Sequence, residues 1–231
     1  MQSVANPLVS VVIPAFNEES SIADVIAHVE AALQSLNLPH EVIVIDDGSN
    51  DNTRYYASNN GAKLISYKTN RGKGYALRKG LALARGQILI TIDADGSHRP
   101  DEIPKIIKPL LNGADVVIGS RFLGNNEKVT SKLHVLGNRM FNILIMILTK
   151  KKITDSQTGF RAYKRKVLKG IKLFSNGYEI ETELTIKTLK NGFKIQEEPI
   201  TCDKRKTGRS MLNPFSDGLT ILKTILKANF I

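Results

Sequence analysis

Apolar positions along the first 125 residues follow two alternating rhythms. Residues 8–13 (LVSVVI) form a β-branched run closed by Pro14, the pattern of a strand buried on both faces. Ser20 or Ser21 then caps a helix in which Ile22, Val25, Ile26, Val29, Leu33 and Leu36 recur at helical spacing, and residues 37–39 stop it. The strand rhythm returns at 41–45 (EVIVI), more weakly at 62–67, and again at 87–92 (QILITI) and 114–119 (ADVVIG). Helical stretches fall between, at 52–59, 75–84 and 100–111, the last with Asp101 and Glu102 in its first turn, where acids suit the helix dipole. This alternation with short connections predicts an α/β fold: a mostly parallel central sheet with helices on both faces.

Beyond residue 125 the pattern loosens. Residues 133–148 and 177–189 are helical, 193–199 a strand, 201–213 a polar, basic loop and 217–230 an amphipathic helix. No repeat and no low-complexity linker divides the chain, so residues 1–231 read as one domain with two halves, 1–125 and 126–231.

Composition narrows the function classes. With 42% apolar and 24% charged residues the chain is not of the disordered class. The single cysteine, Cys202, excludes an intramolecular disulfide and a multi-thiolate zinc cluster, and leans towards a reducing compartment. The N-terminus lacks a signal-peptide pattern, and no window reaches the roughly 18 apolar residues of a membrane span. The net charge of +11 is unevenly placed: residues 1–149 carry +1 and residues 150–231 carry +10. The last third therefore calls for an anionic partner, whether nucleic acid, an anionic membrane or a phosphorylated substrate.

The chemical signature is a set of acids at strand ends. Ligands of open parallel sheets bind outside the carboxyl ends of the strands. Residues 14–18, Asp46 with Asp47, and Asp93-Ala94-Asp95 lie there. In an extended segment Asp93 and Asp95 point the same way, and two such carboxylates repel unless a cation sits between them. Oxygen ligands suit Mg²⁺ or Mn²⁺, with substrate phosphates completing the shell, which implies a diphosphate-bearing substrate. A P-loop and a dinucleotide fingerprint are absent: residues 72–74 lack GxxxxGK[ST] spacing, and no GxGxxG follows the first strand. Asn70, Arg71 and Lys73 either approach a phosphate or form a basic surface turn.

Five segments in order, VVIPAFNEE (11–19), VIDDGSNDNT (44–53), NRGKGYAL (70–77), DADGSHRPDEIP (93–104) and GSR (119–121), resemble the inverting family-2 glycosyltransferases of GT-A fold. DSQTGFRAY (155–163), GYEIETEL (177–184) and KRKTGRSMLNPFSDGLTIL (204–222) narrow the resemblance to the polyprenyl-phosphate branch, which includes dolichol-phosphate mannose synthases and related glucosyltransferases. The resemblance implies a GT-A fold and hexose transfer, with inversion, from a nucleotide sugar to a dolichyl or polyprenyl phosphate, GDP-mannose being favoured over UDP-glucose. It implies that Pro14, Ala15, Asn17 and Glu18 meet base and ribose, that Asp46 contacts the base with Asp47 beside it, and that Lys73 and Ala94 belong to the donor site. Asp93 and Asp95 would hold the metal, Asp95 chiefly. Arg121 would line the sugar and acceptor-phosphate pocket, and Arg209 with Ser210 would close over the diphosphate. Residues 1–125 become the nucleotide-sugar half and 126–231 the acceptor and membrane-facing half.

The acceptor phosphate is already anionic, so a strong base is dispensable. Glu179 and Glu183 share a helix face and take structural or arginine-orienting roles. Among His134, Asn138 and Arg139, the guanidinium fork of Arg139 suits the acceptor phosphate best. The rival reading is a saccharide-hydroxyl acceptor, which needs a carboxylate base, and Asp155 is the candidate. A nucleotidyltransferase fits the C-terminal motifs poorly. Nucleic acid is not expected as a partner, given no tryptophan, 6% aromatic residues and no recognisable binding module. FNILIMIL (141–148) followed by Thr149 and three lysines has the form of an interfacial element, or of a core helix with a solvated lysine end. Together these features predict a peripheral protein at the cytoplasmic face of an anionic membrane.

Overall fold

The computed structural model describes residues 8–123, 132–205, 211 and 213–228. Its sheet contains β1 (Val9–Ala15), β2 (His40–Asp46), β3 (Lys63–Ser66), β4 (Ile88–Thr91), β5 (Val116–Ser120), β6 (Arg161–Lys164) and β7 (Ile195–Pro199), in the order β3-β2-β1-β4-β6-β5-β7. Only β6 runs antiparallel to its neighbours. Helices α1 (Ile22–Ser35), α2 (Thr53–Asn59), α3 (Lys73–Leu83) and α4 (Ile103–Leu111) alternate with the first strands, and a 3₁₀ turn at Pro100–Glu102 leads into α4. After β5 come α5 (Lys132–Thr149), α6 (Arg165–Gly170), α7 (Ile180–Lys190) and α8 (Ser216–Lys227).

Strand β1 shows why the sheet is covered twice. Val9, Val11 and Ile13 point to the face packed by α1 and α4, through Ile22, Ile26, Val29, Ile103, Ile106 and Leu110. Val12 points to the opposite face, among Ala76, Leu77 and Leu81 of α3 and Ile180 and Leu184 of α7. A β-carbon on Gly80 would collide with the Val12 side chain, so glycine is what lets α3 approach β1. A third cluster stacks α5 and α8 on α7 through Phe141, Ile145, Ile186, Ile221 and Ile225. Sandwiched between sheet and helices, α7 buries every residue from Ile180 to Thr188.

The elements legible in the apolar pattern lie within a few residues of their predicted limits. Strand β6 and helix α6 are the additions. β6 is four residues long (RAYK) and begins with a buried arginine, so no apolar run announces it. Its direction matters: Arg161 pairs with Thr91 at the end of β4, so the segment preceding β6 arrives at the carboxyl ends of the parallel strands. That is how residues 155–159, far along the chain, reach the strand-end loops.

Candidate active site

β1 is flanked by β2 on one side and β4 on the other, which makes this the switch point where a crevice opens beyond the strand ends. A cleft of about 1020 Å³ lies there. The loops after β1 and β2 are stitched together: the Asn17 amide donates to Ser49 Oγ (2.9 Å), the Asn50 amide to Asn17 Oδ1 (2.8 Å) and the Glu18 amide to Thr53 Oγ1 (2.8 Å). Asn17 takes φ +55° to make this turn, and its side chain lies outside the cleft lining, while Pro14, Ala15 and Glu18 face the cleft.

The two acids after β2 part company. Asp46 is fully buried and accepts from the Ser49 amide (3.2 Å), Arg54 Nε (2.6 Å) and Ser66 Oγ (2.7 Å). Burial opposes its charge, yet these donors outweigh burial and hold it below the ordinary carboxylate range. It therefore organises the loop from beneath, whereas Asp47 lines the cleft, gripping the amides of Arg71 (3.0 Å) and Gly72 (2.7 Å). Burial raises the Asp47 carboxyl.

Asp93 and Asp95 both line the cleft, each engaged by different partners. The extended-strand argument fails here because β4 ends at Thr91 and residues 94–95 form a turn. Asp93 receives Lys73 Nζ at 2.7 Å, and the same ammonium lies 2.8 Å from Glu181 Oε1. Burial opposes ionisation of Asp93, but the Lys73 ammonium pulls it down to about 2. Burial would lower the Lys73 ammonium, and the two carboxylates raise it instead. Lys73 is thus the interior partner of two acids. Glycine at 159 makes room, since a β-carbon there would meet the Asp93 carboxylate at 2.5 Å. Asp95 uses Oδ1 to accept from the Ser97 amide (3.0 Å) and hydroxyl (2.6 Å), while Oδ2 lies 3.7 Å from Arg205 Nη1. His98, three residues beyond Asp95, is buried on the cleft wall against Phe160, and burial lowers its pKa towards the neutral imidazole.

Arg121, at the end of β5, lines the cleft and forks onto Asp155, Nε to Oδ2 at 2.7 Å and Nη2 to Oδ1 at 2.9 Å. Asp155 is 0% exposed. Burial opposes its charge, but Arg121 lowers its pKa below the usual value. The turn that carries it is fixed by Glu197 of β7, which accepts from the Thr154 and Asp155 amides (2.9 and 3.0 Å). An acid so held is a poor proton acceptor, so Asp155 is an unfavourable base for a hydroxyl acceptor.

On α5 the sequence expectation shifts by one residue. Arg139 is exposed and outside the cleft lining, while Asn138, one helical step away, is buried on it and lies 3.4 Å from Asp155 Oδ1. The reason is helical phase: Asn138 shares the inward face with Phe141, Asn142 and Ile145. Glu179 and Glu183 accept backbone amides of residues 176–177 and 174–175, and Glu183 also pairs with Lys187, so neither orients an arginine. Arg209 and Ser210 lie outside the described residues. Arg205, from the same basic run, reaches the cleft and pairs with Glu18. Sequence reading missed Arg205 and the Lys73–Glu181 pair. The run of basic residues was the one available signal for Arg205, and it did not single out a member.

Among the described residues, seven carboxylates and four basic side chains line the cleft. No three Asp, Glu, His or Cys side chains among them converge as a metal site. Asp95, with one oxygen oriented by Ser97 and the other facing the cleft, suits a hard cation that takes most of its ligands from a bound diphosphate. The far wall is apolar: Leu133, Met140 and Phe141 of α5 face Leu219, Ile221 and Leu222 of α8.

Comparison with known proteins agrees with this geometry. The glycosyl transferase family 2 model matches residues 10–172. A dolichol-phosphate mannosyltransferase of Pyrococcus furiosus is 32% identical over 88% of this chain, which spans 59% of that protein. A UDP-N-acetylglucosamine–dolichyl-phosphate N-acetylglucosaminyltransferase of Methanococcus voltae is 34% identical, covering 85% of this chain and 86% of that one. The crystal structure of Mycobacterium tuberculosis glucosyl-3-phosphoglycerate synthase with Mn²⁺ and UDP-glucose superposes with a TM-score of 0.78 at 27% identity, over 98% of this chain and 80% of its own.

Proposed function

Because the chain belongs to glycosyl transferase family 2 and has the GT-A fold, we propose that it transfers a hexose, with inversion, from a nucleoside diphosphate sugar to a polyprenyl or dolichyl monophosphate. GDP-mannose is the first choice of donor and UDP-glucose the second. The observation that carries this reading is the cleft's two-sided wall: strand-end acids and arginines on one side, an apolar lining open to the surface on the other. A lipid phosphate is the acceptor that needs both.

In this reading Pro14, Ala15, Glu18 and Asp47 border the nucleotide, with Asp46 and Asn17 supporting their loops. Asp95 holds Mg²⁺ or Mn²⁺, and Asp93, tied to Lys73, takes the lesser part. The ion, when bound, neutralises charge developing on the departing diphosphate. Arg121, held in place by Asp155, presents its guanidinium to the acceptor phosphate. An acceptor oxygen attacks the anomeric carbon as the bond to the nucleoside diphosphate breaks. The acceptor is already an anion, so the locked state of Asp155 is no obstacle. Arg209 and Ser210 remain candidates to close over the diphosphate.

Among the described residues no helix is long and apolar enough to cross a membrane. On α5, Leu133, Leu136, Met140, Ile143 and Ile147 form an exposed stripe at three- and four-residue spacing, ending beside Lys150, Lys151 and Lys152. With exposed Lys223 and Lys227 on α8, this face suits peripheral attachment to an anionic bilayer at the cytoplasmic face, where a lipid acceptor would enter the cleft. The test is a matrix of GDP-mannose, UDP-glucose and UDP-N-acetylglucosamine against a short polyprenyl phosphate, read by product mass. A glycosylated lipid phosphate is expected, and product from a saccharide hydroxyl alone would overturn the acceptor.

A further inference from the structure

The guanidinium of Arg205 lies between two carboxylates that come from different strand-end loops. One of its amino groups pairs with Glu18 Oε1 and the other lies 3.7 Å from Asp95 Oδ2. Each acid has its remaining oxygen oriented by a serine: Ser21 Oγ lies 3.3 Å from Glu18 Oε2, and Ser97 Oγ donates to Asp95 Oδ1 at 2.6 Å. Both therefore turn their second oxygen towards the same cation. Glu18 is buried, with its amide fastened to Thr53, so it has little freedom to turn away.

The placement of Arg205 follows from a second set of contacts. Asp203 accepts a two-pronged pair from Arg99, at 2.7 and 2.8 Å, and its amide donates to the Ser97 carbonyl at 2.9 Å. Cys202 forms an isolated bridge with His98. Residues 202–203 are thereby docked on the segment that follows Asp95, and Arg205, two residues further on, is delivered to the acids by register.

We infer that Arg205, anchored on Glu18, is a resident counter-ion that competes with the divalent cation for Asp95, and that the donor's diphosphate relieves this competition by offering the guanidinium a new anionic partner. A guanidinium and a divalent ion repel each other beside one carboxylate, so the metal engages Asp95 fully only when Arg205 leaves. A diphosphate is a strong bidentate partner for arginine. The consequence is that metal and nucleotide bind with positive coupling, each raising the other's affinity by the same factor. This inference rests on the metal-dependent reading above and adds to it a coupling between metal and donor.

Mn²⁺ binding, followed by electron paramagnetic resonance on the whole chain without substrate turnover, tests it. Arg205→Gln, at a residue on the cleft wall rather than in the core, is expected to bind Mn²⁺ alone about tenfold more tightly than wild type, the gain expected if the arginine holds the site in nine molecules of ten. With GDP or UDP present the two proteins should converge, so the variant loses most of the coupling. Arg205→Lys, which keeps the charge without the fork, should fall between them. If Arg205→Gln binds Mn²⁺ alone no more tightly than wild type, while wild type binds it firmly with nucleoside diphosphate, the counter-ion role is overturned and the metal reading stands. If neither protein binds Mn²⁺ with or without nucleotide, both are overturned.

Discussion

The strand-end wall of the cleft and the α5–α8 wall satisfy their side chains in opposite ways. On the first, every charged group described above has a defined partner: Asp46 with Arg54, Asp93 with Lys73, Arg121 with Asp155 and Glu18 with Arg205. On the second, α5 and α8 bury one face on α7 and leave Leu136, Ile143, Ile147, Leu219 and Leu226 exposed. In the proposed function, the first wall is organised in advance for a small, highly charged ligand whose transition state needs fixed dipoles. The second has no geometry to impose if it meets, as proposed, an acyl chain or a bilayer surface, which is met by area rather than by directed bonds.

The contrast breaks most severely at Asp95. Asp95→Ala should lower kcat by on the order of 10³-fold or more, since it removes both a charge and the cation that charge would hold. The circular dichroism spectrum should stay unchanged because the side chain lies on the cleft wall. Full activity at saturating donor, or in excess chelator, would end the metal-dependent reading.

Asp155→Asn comes next. It leaves Arg121 without its buried counter-charge, which costs roughly 3–5 kcal/mol of stability, and it should raise the apparent acceptor KM by letting the guanidinium swing. A fall in kcat alone, with KM and melting temperature intact, would instead mark a base and a hydroxyl acceptor. Because the folded carboxyl titrates below the unfolded value near 4, the pair's contribution is present above about pH 4 and lost as pH falls further. The stability gap between wild type and Asp155→Asn should therefore close in acid.

On the other wall, Leu136→Glu with Ile143→Glu should reduce flotation with anionic vesicles by about tenfold or more, each change removing roughly 1.5–3 kcal/mol of apolar transfer. Melting should shift little, because both positions are already in water. Unchanged flotation would leave this face without a membrane role.

The smallest effect is expected at Glu18. Burial, with Asp95 adding to it and Arg205 opposing it, raises this carboxyl to about 7. The folded state therefore holds a proton that the unfolded state releases near 4.5, and wild type loses stability as pH rises from about 5 through 7. Glu18→Gln removes that slope, so its advantage in melting temperature should grow between pH 5 and pH 8. An advantage constant with pH would mean that Glu18 is ionised throughout.

Much of this arrangement was legible before any coordinates. The runs at 8–13, 41–45, 87–92 and 114–119 are pure enough to be strands buried on both faces, and placing a ligand beyond their ends needs only the parallel α/β rule. Asp47, Asp93 and Asp95 follow, the family resemblance adds Arg121, and all four line the cleft. The pattern failed where a residue's role depends on direction. Asp46 and Asp47 are adjacent, yet one is interior and the other faces the cleft. Arg139 and Asn138 differ by one helical step, and the apolar neighbours on both sides of α5 left the inward face undecided.

Chain order by itself determined the alternation of strands and helices, the acids that follow the strands and the gathering of positive charge in the last third. These are local properties, set by backbone preference and by the spacing of apolar residues. Tertiary structure alone decided the pairings across the cleft. Lys73 meets Glu181 across 108 positions and Arg205 meets Glu18 across 187. Asp155 reaches Arg121 because β6 runs against its neighbours. Those contacts depend on which loops a sheet of this order brings to one edge, and no periodicity in the chain encodes a neighbour that distant.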